Sequence, residues 1–279
     1  LGEGYIEGNL LAYLGTLAAT VLIWCINRKV MTGLIYNEIN KVEDTKVKTV
    51  SEYRFLERYG EVGEYMRLEL KMLLRNKRCK ASLRSVAMLV IIFSIILSFS
   101  STYDHMKSFV LVYSFLGFGM VILIQLMGFE GNYIDGLMTR KESIKSLLTA
   151  KYYIYSLAEI IPLILLIPAF VMGKASLLGA VALIFLTTGP VYCILFQLAV
   201  YNHKTVPLNE SITGKQSMNT GMQMLISFGL FIVPTTLYGT LPMLLGQTWA
   251  YIVILIIGLG FTLTSPMWIN NVYVRFMQR

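Results

Sequence analysis

The chain has 279 residues, of which 56% are hydrophobic and 14% charged, with a mean hydropathy of +0.63. A soluble domain carries about 25% charged residues, and its surface-to-volume ratio leaves nowhere to hide this much apolar side chain. That balance excludes a soluble globular domain, a disordered chain and a secreted disulfide scaffold, and leaves a polytopic membrane protein, which the pattern of its spans below makes all-α. The net charge of +8 is read by position below, as an attraction to membrane lipids and not to nucleic acid.

In chain order, seven apolar stretches reach the roughly 20 residues a helix needs to cross hydrocarbon: 8–27, 85–102, 108–128, 150–172, 176–200, 222–245 and 247–270. None alternates with the period of two that a barrel strand requires, so helices are the spanning solution. Residues 1–27 lack the basic leader and small-residue cleavage site of a signal peptide and are taken as structure. Residues 28–61 are polar and charged and form a cytoplasmic linker. From Val62 the pattern turns amphipathic: Met66, Leu70, Leu73 and Leu74 make one stripe, and Arg67, Lys71, Arg75 and Arg78 line another face. This spacing predicts a helix over 62–84 lying in the inner membrane interface and turning into a span at Ser85.

Six spans follow, over 85–275. The outer connections at 102–107 and 173–175 are short, which makes their flanking helices antiparallel neighbours. The inner loop 129–149 is a mixed apolar and charged knuckle with Tyr133, Ile134, Asp135, Leu137 and Met138. Its Thr139 and Glu142 form a capping box, so a helix starts near Arg140 and puts Ile144, Leu147 and Leu148 on one face. The second inner loop, 201–221, has no periodicity. Pro234, Gly239 and Pro242 interrupt the sixth run, which predicts a span ending near Tyr238 followed by a short re-entrant or interfacial segment. Pro162, Pro168, Pro190 and Pro266 predict kinks, and Gly117, Gly119, Gly258 and Gly260 predict close helix contacts.

Lysine and arginine set the orientation: 22 of 24 fall in the linker and amphipathic helix (28–84), the inner segments 129–151 (Lys151 included) and 201–221, and the tail, against Lys107 and Lys174 on the other side. The expected arrangement in the plasma (bacterial inner) membrane has the N-terminus of this chain outside and the C-terminus in the cytoplasm. A retinal protein is excluded, because the last span holds no lysine for a Schiff base.

Reactive motifs are missing. The pairs Gly173-Lys174 and Gly214-Lys215 lack the glycine and Ser/Thr of a phosphate-binding loop. His105 and His203 fall on opposite sides of the membrane, and Cys25, Cys79 and Cys193 are far apart. No metal, cofactor or catalytic site is expected, and the chain is not read as an enzyme. The ionisable residue within a span is Glu159, which is either a packing carboxyl or a proton-relay group.

The order of elements resembles the permease subunit of type-2 ABC transporters, the bacterial ABC exporter class. The resemblance is carried by E-Y-M-R-L-E-L-K-M-L-L-R-N-K-R at 64–78, Y-I-D-G-L-M-T-R at 133–140 and the P-x7-P segment at 234–242, within residues 62–275. The first two segments are also similar to bacterial permease-like proteins of uncharacterised function. The resemblance implies that 62–84 is a connecting helix. It also implies a coupling element near 133–146 that touches an ATP-binding cassette ATPase, with Tyr133, Asp135, Met138, Arg140 and Glu142 as the coupling residues. ATP would be bound by that separate subunit, and a second six-span unit, in the same chain or in a homodimer, would complete the path. Span 8–27 is extra to a six-span unit. With Leu1 in place of an initiator methionine, it points to the second half of a longer chain. The alternatives are a proton-coupled secondary transporter using Glu159, and a non-transporting membrane anchor or sensory subunit.

Overall fold

The computed structural model describes residues 10–39, 53–99, 106–130, 141–201 and 221–278, and all regular structure among them is helical. Two compact units divide the chain, 1–51 and 52–279.

The first unit contains one 30-residue helix, α1 (Leu10–Ile39). It covers the first expected span and continues twelve residues beyond Asn27 into the polar linker. Its apolar side chains at Leu14, Leu17, Leu22, Ile23 and Trp24 are exposed, and the Arg28 guanidinium sits 5.7 Å from the Trp24 ring centre. Residues 40–52 of the linker lie outside the described residues.

The second unit opens with a 3-10 turn (Arg54–Tyr59) leading into α2 (Gly60–Arg75). Gly60 takes φ +60°, a left-handed conformation that suits glycine at this join. The amphipathic pattern does produce a helix here, but it ends at Arg75, not at residue 84. Asn76 is extended at φ −69°, ψ 122°, and its Oδ1 accepts from the Cys79 N–H at 3.4 Å, so Asn76 closes one helix and caps the next. The turn into α3 (Lys77–Phe99) therefore comes one residue after α2, eight residues before Ser85. Arg67 and Lys71 are half-buried and Arg75 is exposed; the side chain of Arg78 lies outside the described residues.

Next come α4 (Lys107–Leu123), a turn through 124–130, and α5 (Lys141–Ala158). α5 is described from Lys141 onward, with Thr139 and Arg140 of the expected helix start outside the described residues, and the three side chains expected on one face, Ile144, Leu147 and Leu148, are all buried. The prolines break the fourth span as expected. After α5 come α6 (Ile160–Leu165) and α7 (Ile167–Val171), with Pro168 in the first turn of α7. Gly173, at φ +68°, makes the short turn into α8 (Leu177–Leu186), whose first turn is capped by the Ser176 hydroxyl. A π-helical turn, Thr187–Val191, contains Pro190 and joins α8 to α9 (Tyr192–Tyr201). Thr187 and Thr188 donate to the Leu183 and Ile184 carbonyl oxygens, taking up acceptors near the wide turn.

The interruption expected in the sixth run does not occur. α10 (Gly221–Leu245) is one helix containing both Pro234 and Pro242. Each proline removes one backbone donor, and the hydroxyls of Thr235, Thr236 and Thr240 donate to nearby carbonyls of Phe231, Val233 and Thr236. The chain turns only at Gly246, where φ is +81°, to begin α11 (Gln247–Leu263). The last run is bent by 52° before α12 (Ser265–Met277), with Pro266 in the first turn of that helix. Trp268 Nε1 donates to the Phe261 carbonyl oxygen at 3.0 Å across the bend.

Among the described residues four helical segments are long and apolar enough to cross a membrane: Cys79–Phe99, Ile144–Leu165, Leu177–Tyr201 and Met224–Leu245. The bent pair α11–α12 makes a fifth if counted as one span. α4 is apolar but shorter. Of the glycines expected at close contacts, three are used. A Cβ on Gly117 would stand 3.2 Å from Val86, one on Gly119 would run into the Tyr192 ring, and one on Gly258 would stand 2.5 Å from the Phe185 backbone; Gly260 faces open space.

Candidate functional site

The most unusual chemistry lies where α2 packs on α5. On α2 the buried face is centred on Met66 and Leu73. At about 100° per residue, Glu69 falls about 60° from Met66 and inside that face. On α5 the buried row Ile144–Leu148 continues, at spacings of three and four, to Lys151, Tyr155 and Glu159. Two apolar helix faces thus each carry an ionisable group into the contact.

The groups meet. Lys151 Nζ lies 2.7 Å from Glu69 Oε2 and 2.6 Å from Glu130 Oε1, and the side chains of Lys151, Glu69 and Glu130 are 1%, 2% and 12% exposed. Tyr155 donates its hydroxyl to Glu69 Oε1 at 2.7 Å. Two turns earlier on α2, Glu61 Oε2 accepts from the Ser146 hydroxyl at 3.0 Å, so the helix pair is tied at two levels. One ammonium thus faces two carboxylates. Burial pushes the Glu130 carboxyl above the usual range, the Glu69 carboxylate adds to the push, and Lys151 opposes it. Glu130 Oε2 is buried without a partner among the described residues.

A second polar pair lies farther along the same helix row. Tyr192, on α9, donates its hydroxyl to Glu159 Oε1 at 2.6 Å and stands 3.2 Å from the Tyr155 carbonyl oxygen. Gly119 leaves the space that the Tyr192 ring occupies. Lys151 to Glu159 is eight residues, about 12 Å at 1.5 Å per residue, so a polar seam runs into the bundle from the ion cluster. Aromatic edges brace it: Tyr152 meets Tyr192, Phe196 and Trp268 at ring-centre distances of 6.5, 6.3 and 5.4 Å.

Of the expected coupling residues, Tyr133, Asp135, Met138 and Arg140 lie outside the described residues, as does the side chain of Glu142. Glu159 is buried and partnered by Tyr192, with its other carboxyl oxygen unpartnered among the described residues. Lys151, which by position falls with the inner-side cations, is a buried ion-pair member. Sequence reasoning passed over Glu69, although the stripe position between Met66 and Leu73 marked a carboxylate pointing inward. Glu130 and Tyr192 carried no comparable signal. Among the described residues no group of three His, Cys, Asp or Glu side chains is placed to hold a metal.

These residues define an all-helical protein whose apolar helices are compatible with a multi-pass membrane protein, built around a buried two-carboxylate, one-ammonium joint. The chain belongs to a family of unknown function, DUF5687, whose model matches residues 3–279. No curated protein and no solved structure matches it.

Proposed function

We propose that this chain is the membrane permease part of an ABC-type exporter, moving its substrate across the plasma membrane with energy from a separate ATP-binding cassette ATPase. The observation that carries the reading is the Glu69–Lys151–Glu130 joint. It ties a cytoplasmic amphipathic helix to a span helix. Glu130 stands three residues before and Lys151 five residues after 133–146, the stretch of the inner loop proposed to touch the ATPase. A push on that loop would pass directly to α2 and α5, since breaking the joint would strand buried charge. The proposal includes seven spans, α1 first and a six-span unit after it, with the N-terminus of this chain outside and the basic connections inside. A second six-span unit, in the same chain or a homodimer, faces this one.

The test is affinity capture of the full chain from native membranes, followed by a search of the captured proteins for a Walker A sequence. Charge reversal at Asp135 or Arg140 should abolish that association while leaving membrane insertion intact. Capture without any such ATPase, or normal association in both variants, overturns the reading or its coupling loop, respectively. A second reading is favoured by the Glu159–Tyr192 pair: proton-coupled transport with Glu159 as the relay. It requires flux that collapses with the proton gradient and persists without ATP. An anchoring or sensory subunit would give no flux under either condition.

A further inference from the structure

Three polar atoms buried along one row of α5 have no hydrogen-bond partner among the described residues: the Tyr152 hydroxyl, the Ser156 hydroxyl and Glu159 Oε2. Tyr152 is 3% exposed and Glu159 is fully buried. Spacings of four and three put the three side chains on one face. The row is tightened where α5 ends, because the Glu159 N–H donates to the Ser156 carbonyl oxygen at 3.4 Å, the 3-10 pattern in which residues three apart stack in line.

Two other irregular helices close around this row. Tyr192, the first residue after the π turn, holds Glu159 Oε1 at 2.6 Å, and its ring meets that of Tyr152 edge-on. At the 52° bend between α11 and α12, Thr262 and Ser265 stand beside the Tyr152 hydroxyl without reaching hydrogen-bonding geometry. Thr262 donates its own hydrogen to the Gly258 carbonyl oxygen at 2.9 Å, so its oxygen keeps lone pairs to offer. Among the described residues no cation pairs with Glu159. Lys151, two turns back on the same helix, is held by Glu69 and Glu130.

We infer that this node binds an alkali cation, sodium or potassium, between Glu159 Oε2, Ser156 Oγ and the Tyr152 hydroxyl, beside the α11–α12 bend. Every unpartnered atom in it is an oxygen, the ligand type that hard cations take. One carboxylate supplies one negative charge, which a monovalent ion balances and a divalent ion exceeds. A proton on Glu159 would cancel the charge but add a donor that itself needs an acceptor, and it would leave the two hydroxyls as they are. Water would leave the charge uncompensated inside a span. Interrupted helices are where oxygen ligands become available at such depth, and here two interruptions meet, at the α5–α6 break and the α11–α12 bend. The site does not rest on the exporter reading.

The test uses the full chain in a neutral detergent with Trp24→Phe and Trp249→Phe, so that emission reports Trp268, whose ring centre lies 5.4 Å from that of Tyr152. Ionic strength is held constant with choline chloride. Sodium or potassium chloride should give a saturable change in emission and raise the melting midpoint, and choline should give neither. Ser156→Ala should weaken the response about tenfold or more. Glu159→Gln, which keeps an oxygen for the Tyr192 hydroxyl, should abolish it. Ser94→Ala removes a buried, unpartnered hydroxyl on α3 and should leave it unchanged. The absence of an alkali-specific response, a wild-type response in both site variants, or equal weakening in Ser94→Ala each overturns the site. A pH response that Glu159→Gln abolishes, with no sensitivity to sodium or potassium, overturns it in favour of a proton.

Discussion

Lys151→Met is the most direct probe of the buried joint. It keeps the length and apolar stem of the side chain and deletes the ammonium that both Glu69 and Glu130 contact at 2.6–2.7 Å. Glu69 keeps only the Tyr155 hydroxyl, and Glu130 loses its partner. Stranding a buried ion-pair partner costs about 3–5 kcal/mol, whereas replacing a whole buried cluster with uncharged groups of similar volume is close to neutral. For a unit of this size that cost corresponds to a fall in melting midpoint of roughly 6–20 °C. Unfolding can be followed with a thiol-reactive fluorophore, because Cys79 is buried, in a Cys25→Ser background that removes the exposed thiol. The Lys151→Met deficit should shrink at acidic pH as the stranded Glu130 carboxylate takes up a proton. The triple variant Glu69→Gln/Glu130→Gln/Lys151→Met should recover most of the wild-type midpoint. A single variant melting with the wild type, or a triple variant no better than the single, would refute the assignment of a charged joint.

Two further outcomes follow from the same geometry. Glu130 has its carboxyl pKa raised by burial, so the folded state holds a proton that the unfolded state has already released. That contribution to stability is fully present below the ordinary glutamate range and is lost as pH rises through the raised value; Glu130→Gln should flatten the decline, and a decline of unchanged steepness would contradict this. Gly258→Ala should cost about 1–3 kcal/mol, because its methyl meets the Phe185 backbone at 2.5 Å, whereas Gly260→Ala enters open space and should be neutral or slightly stabilising. Melting curves of the two single variants decide it, and equal losses would mean that the α8–α11 contact is misplaced.

Much of the helical layout was legible in the sequence because apolar run length and proline position act locally. The apolar runs locate the long helices, Pro168 and Pro266 stand at real breaks, and the Ile144–Leu148 face is buried as its spacing requires. Pro234 and Pro242 misled for an equally physical reason: a helix loses only one donor to each proline, and the neighbouring threonines in P-T-T-L-Y-G-T take up nearby carbonyl oxygens. The Gly246 turn, four residues after Pro242, falls at the join between the runs 222–245 and 247–270, where the sequence already separates two spans. The ion cluster was the hardest part to read, since Glu69 and Lys151 are 82 residues apart and their meeting depends on how α2 packs, which no local pattern specifies. Glu159 was visible as a lone carboxyl in an apolar stretch, but its Tyr192 partner, 33 residues on, was not.

The wide turn at Thr187–Val191 sets the phase of everything that follows it. A π turn holds one residue more than the α turn it replaces, so it rotates the downstream helix by about 100° relative to an uninterrupted one. Tyr192 is the first residue to feel that offset, and with it Leu195 and Phe196 are carried to the interior. Excising a single residue from this turn would leave the helix intact and its composition almost unchanged, yet swing the phenol away from Glu159 and present a different set of side chains to α5. The polar seam is thus aligned by a one-residue register offset, a kind of information that a hydropathy profile does not contain.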